Sequence, residues 1–91
     1  MLSIQQVAQE FDINADQLID QSLRLYLHQQ LVKVETELFH YAKKYGVNNI
    51  EELDQKLQNG FLQEDDLIDD FFIFDHLENE KERLLNLLRV S

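Results

Sequence analysis

The sequence predicts an all-α protein, and three observations carry that prediction. Proline is absent, glycine occurs only at Gly46 and Gly60, and apolar residues recur at three- and four-residue spacing over stretches far longer than a strand. Proline and glycine supply the tight turns that short strands need, so a chain nearly without them favours a few long helices. Capping residues divide the 91 residues into a short helix, a long helix, a short helix and a long C-terminal helix, within one domain. The expected architecture is a helical hairpin that dimerises into a bundle.

Each element has its own start and stop. Ser3 followed three residues later by Gln6 fits a capping box, and Ile4, Val7, Ala8 and Phe11 lie at helical spacing, so a first helix covers about 3–11. Asn14 with Gln17 opens the second in a similar way. No breaker follows until Gly46, so Ala15 to Tyr45 reads as one helix of about 30 residues, roughly 45 Å long at 1.5 Å per residue. Lys43 and Lys44 complement the dipole of its last turn, and Gly46 suits the left-handed residue beyond it. Asn49 with Glu52 opens a third helix with Ile50, Leu53 and Leu57 on one face, and Gly60 closes it. The last begins near Gln63 with Glu64, Asp65 and Asp66 in its first turn. It runs to about Arg89, with Leu67, Phe71, Phe74, Leu84, Leu85 and Leu88 at compatible spacing.

The long helix bears two apolar rows. Leu27, Leu31, Val34, Leu38, Tyr41 and Tyr45 follow the alternating four- and three-residue spacing of a left-handed helical seam, and they are the candidate self-association residues. Leu18, Leu25, Val32 and Phe39 repeat every seven residues on another face. Two apolar faces need two partners. Either the chain's own last helix covers one row and a symmetry mate the other, or the second row waits for a different protein. A compact domain of this size is only about 30 Å across, so a 45 Å helix overhangs it unless the chain is elongated or paired. A homodimer is expected.

Composition and charge narrow the function. An apolar fraction of 44% with 29% charged residues is ordinary for a folded chain despite a net charge of −10. Without cysteine there is no disulfide, no thiolate metal site and no cysteine nucleophile. The N-terminal residues carry neither a basic segment nor an apolar one, and no apolar run approaches the length of about 18 that spans a membrane. A cytoplasmic protein without membrane contact is therefore expected. Residues 1–45 hold four basic and six acidic side chains, a net −2, whereas residues 46–91 hold four basic and twelve acidic, a net −8. The second half repels nucleic acid and steers a basic protein towards itself.

Four features of the sequence bear on chemistry. Val7 to Leu18 resemble a helix-turn-helix, with Ala8 at the crossing and Phe11, Ile13 and Leu18 as core positions. Asp12 replaces the usual turn glycine, Gln21 replaces a late apolar residue, and Asp16 and Asp20 would face phosphate. Glu37 and His40 share a helix face at the spacing used in di-iron bundles, yet no further inward glutamate completes such a set, and His28 and His76 lack metal partners apart from Glu80, which makes an ordinary i, i+4 helical pair with His76. No cofactor or metal is expected. The three serines, Ser3, Ser22 and Ser91, are in no nucleophile arrangement, and no glycine-rich phosphate loop exists, so catalysis is not expected. The fourth is Glu64 to Asp75, where acids alternate with large hydrophobes. Phe71, Phe72, Ile73 and Phe74 in succession make a helix apolar all round, so at least one faces a subunit or a partner. Asp65, Asp69, Asp70, Phe71 and Phe72 are the candidate partner-binding residues; homodimer core and foreign partner both fit them.

Leu18-Ile19-Asp20-Gln21-Ser22-Leu23-Arg24-Leu25-Tyr26-Leu27, then Tyr41-Ala42-Lys43-Lys44-Tyr45-Gly46-Val47 and Ile50-Glu51-Glu52-Leu53, resemble the small acidic helical antitoxins of prokaryotic toxin–antitoxin modules, in a likeness that spans about two-thirds of the chain. The resemblance implies a non-catalytic dimer whose acidic segment covers a basic, nuclease-like toxin, and it transfers no individual site residue. The expected function is thus a helical protein–protein interaction module that neutralises a basic partner. A helix-turn-helix regulator using residues 3–24 is the alternative.

Overall fold

The computed structural model describes residues 1–60 and 67–90, and these form four helices with no strand among them. The expected opening of the last helix at Gln63, with Glu64, Asp65 and Asp66, lies outside the described residues. In chain order the helices are α1 (Ile4–Glu10), α2 (Ala15–Tyr45), α3 (Ile50–Gln58) and α4 (Leu67–Arg89).

Local chemistry sets these boundaries. Ser3 Oγ accepts from the Gln6 N–H, and Asn14 Oδ1 accepts from the N–H groups of Asp16 and Gln17, so orphan donors at two helix starts are satisfied. At α3 the Asn49 side chain accepts from the Glu52 N–H, while the Glu52 carboxylate reaches back to the N–H of Asn48, one residue earlier than a capping box would place it. Gly46 ends α2 at φ 65, ψ 38, the left-handed conformation that glycine adopts without a Cβ penalty. Lys56 then caps that end from α3, its Nζ donating to the carbonyls of Tyr45 at 2.9 Å and Gly46 at 3.4 Å.

α4 runs back along α2 in the antiparallel sense. Lys44 of α2 meets Asp70 near the start of α4, and Glu35 pairs with Lys81 further along it at 3.9 Å. By that register Arg89 is level with about residue 26, so α4 covers the C-terminal two-thirds of α2. The core lies at one end, where Tyr45, Val47, Leu53, Leu67 and Phe74 form a buried cluster flanked by Leu38, Tyr41, Ala42, Ile50, Leu57 and Phe71. α1 packs on the other end of α2, burying Ala8.

The chain is elongated. The molecule measures 60 × 25 × 16 Å with a radius of gyration of 19.0 Å, against about 12 Å for a compact chain of this length. It exposes 7206 Å², where a compact monomer of its mass exposes about 5,600 Å². A layer one helix thick leaves an outer face on α2 and on α4.

Candidate functional site

The inner faces of α2 and α4 are joined by a carboxylate. Asp70, 8% exposed, accepts hydrogen bonds on one oxygen from the Tyr45 hydroxyl and from Lys44 Nζ, the latter at 2.7 Å. The Lys44 ammonium first, and the Tyr45 hydroxyl second, hold the Asp70 carboxyl below the usual carboxylate range. Burial, reinforced by the bond to Asp70, pushes the Tyr45 hydroxyl up to about 12, and Asp70 in turn raises Lys44. Glu78, about two turns further along α4, accepts from the Ile50 N–H at 3.3 Å and so helps to cap α3; burial raises its pKa. These groups are matched to one another and anchor α3 and α4 to the end of α2.

Two sets of expected site residues are relocated by this geometry. The row assigned to self-association is occupied by the chain's own structure: Tyr45 is buried, Leu38 and Tyr41 pack against the core, and Leu27, Leu31 and Val34 are half-buried on the same α2 face. One alternating apolar row on α2 suits any antiparallel helix, and α4 is the one tethered nearby. Asp70 and Phe71 make internal contacts, the first paired with Lys44 and Tyr45 and the second packed against the core. Asp65 lies outside the described residues.

What is left outside forms two separate faces. On α4, Phe74 points into the core at 1% exposure while Phe72 is 63% exposed and Ile68, one turn earlier, 65%. Asp69 and Asp75 are exposed beside them, and Phe71 meets the Phe72 ring edge-on at 5.8 Å. Ile68 was missed as a site residue, although its four-residue offset from Phe72 is the signal that would have found it. On α2, Leu25, Val32 and Phe39 of the seven-residue row are 60%, 62% and 69% exposed. Leu18, the first of the row, is half-buried and shares a small surface pocket with Leu2, Ile4 and Val7 of the α1 end.

The other candidates stay dispersed. Glu37 and His40 are both exposed on α2, and His40 makes an edge contact with Tyr41 at 5.4 Å. Among the described residues no three of His, Asp and Glu gather at metal-binding distance, and no helix is long and apolar enough to cross a membrane. An open groove of about 1110 Å³ runs between α2 and α4, lined by Phe39, Leu38 and Leu85 with Glu35, Glu78 and Glu82. Its walls set these carboxylates beside the cations of Lys43, Lys81 and Arg89.

An elongated, acidic, all-helical protein with two uncovered helix faces is the class this geometry defines. The chain belongs to the uncharacterized protein MJ0235 family, whose model matches residues 1–90. It is similar to the uncharacterized protein MJ0235 of Methanocaldococcus jannaschii, with 34% identity over 74 residues that cover 81% of this chain and 90% of the relative. No solved structure matches it significantly.

Proposed function

We propose that this chain is a non-enzymatic, cytoplasmic protein–protein interaction module that holds a basic partner against the outer face of α4, as the likeness to antitoxins implies. The observation that carries this reading is the pair Ile68 and Phe72, both more than three-fifths exposed one turn apart, with Asp69 and Asp75 at their rim. Large exposed apolar side chains ringed by one sign of charge suit a partner that brings an apolar anchor and opposite charge. The surrounding half of the chain, at a net −8, steers such a partner in and turns nucleic acid away.

A lysine- and leucine-rich amphipathic helical peptide tests the surface directly by fluorescence anisotropy. Binding should weaken as salt rises, and Phe72→Ala and Asp69→Lys should each weaken it at least about fivefold, the scale of a modest hot spot. Equal binding of a glutamate-for-lysine version of the peptide, or an unchanged Phe72→Ala, would sink the reading.

One observation favours a helix-turn-helix regulator as second reading. Asp12 takes φ 55 between α1 and α2, supplying the left-handed residue that the turn of that motif requires, and Ala8 is buried at the helix crossing. Asp16 and Asp20 at the start of α2 oppose it, since both are exposed where phosphate would lie. Failure to shift its own promoter DNA at low salt removes this reading.

A further inference from the structure

We propose that the seven-residue row of α2 is the seat of a second copy of this chain, the two α2 helices packing antiparallel about a two-fold axis at Val32. Four features of the row point there.

The first is its period. A straight α-helix drifts by about 20° per heptad, so apolar residues kept at a strict seven-residue repeat follow a partner helix that winds alongside. Leu18, Leu25, Val32 and Phe39 keep that repeat over three intervals, and the row runs beside the face that α4 covers, with Phe39 at the edge of the groove between them. The partner must be long, because the uncovered part of the row, Leu25 to Phe39, with its flanks from Gln21 to Lys43 spans roughly 33 Å. α2 itself is a helix of 31 residues.

The second is symmetry. Leu25 and Phe39 stand seven residues on either side of Val32. An antiparallel mate centred there sets Leu25 of each copy against Phe39 of the other, and Val32 against itself. The polar residues beside the row follow suit, with Glu35 opposite Gln29, Lys43 opposite Gln21 and Thr36 opposite His28. No like charges are opposed.

The third is charge at the scale of the molecule. Two copies joined through residues 46–91 would bring together two surfaces of net −8, whereas α2 lies in the half whose net charge is −2. Self-association is therefore least opposed on α2.

The fourth is area and sense. A contact about 33 Å long and one helix wide covers roughly 500 Å² on each copy, or about 1,000 Å² in all, the lower bound for a specific interface. The chain exposes 7206 Å², about 1,600 Å² beyond a compact monomer, which leaves room for this contact and for another. α1 lies over Leu18 and Ser22 at the start of the row. A parallel pair would bring both α1 helices to the same end, and an antiparallel pair keeps them apart.

The chain has no cysteine, so introduced ones report without background. Sedimentation equilibrium at about 100 µM should give twice the 10.9 kDa chain mass, and Val32→Glu, at an exposed position, should give the single mass with unchanged helicity. Under oxidation, a mixture of Leu25→Cys and Phe39→Cys chains should cross-link to each other, while Leu25→Cys alone should not. A monomeric wild type, or a Val32→Glu variant that stays dimeric, overturns the interface and leaves the row to a foreign protein. Self-cross-linking of Leu25→Cys overturns the antiparallel sense. Asp69→Lys should leave the dimer mass untouched, so failure of the α4 reading and failure of this one are told apart.

Discussion

Asp70 carries two donors on one oxygen at 8% exposure, and the pH response of the fold follows from it. Its folded pKa lies below the unfolded one, so its contribution to stability is complete above the ordinary carboxylate range and is lost as pH falls through the depressed folded value. Tyr45 is shifted the other way. Its contribution is complete below its ordinary value of 10.0 and is lost as pH rises towards about 12. Asp70→Ala strands the buried Tyr45 hydroxyl and should cost about 1–3 kcal/mol at pH 7 in urea denaturation, a difference that shrinks as the pH is lowered. Tyr45→Phe should flatten the loss of stability between pH 10 and 12. Glu78 gives the opposite expectation for a carboxylate. Burial raises its pKa, so at pH 7 its charge is held against a desolvation cost, while its useful role is to accept the Ile50 N–H. Glu78→Gln keeps an acceptor oxygen and loses the charge; it should be neutral to stabilising, within about 1 kcal/mol, and melting at pH 7 would show it.

At the scale of elements, the sequence was legible wherever a local rule sets the boundary. Ser3, Asn14 and Asn49 cap α1, α2 and α3 through short-range bonds that three or four residues specify. Gly46 ends α2 because only a residue free of Cβ adopts φ 65 without cost. A Cβ there would meet just Lys56 Nζ at 3.5 Å, an ordinary contact, so Gly46→Ala should pay for backbone conformation alone. A loss of roughly 1–2 kcal/mol is expected in chemical denaturation, with α2 helicity unchanged by circular dichroism. The occupants of the two rows of α2 were not legible. Row spacing states that a helix face is apolar, and it is silent on whether α4 or another chain lies there.

At the scale of the molecule, a small core holds α2, α3 and α4 at one end while α1 rests on the other. Phe74 is the largest fully buried side chain in that core, at 1% exposure among Tyr45, Leu53 and Leu67. Phe74→Ala should therefore cost about 3–5 kcal/mol. A domain of this size has a margin of about 5–14 kcal/mol, so the variant should lose a large share of it, seen as a lowered urea midpoint by circular dichroism. Its neighbour Phe72, in the same run of four apolar residues, should be replaceable by alanine with a change near 0.5 kcal/mol, because it is exposed. The contrast between the two shows which of the four aromatic and aliphatic residues build the fold and which are left for contact.

The sequence by itself determined the four helices, three of their starts, the end of α2 and the concentration of acid in residues 46–91, since caps, breakers, periodicity and charge act over a few residues or none. The tertiary structure decided what those helices face. Lys44 and Asp70 are 26 residues apart, and their pairing turned an expected partner contact into an internal one. The same packing gave the Leu27-to-Tyr45 row to α4, left Leu25, Val32 and Phe39 outside, and turned Phe72 outward while Phe74 went in. Those choices depend on which tethered helix reaches a given face first and how far it extends, and neither follows from local spacing.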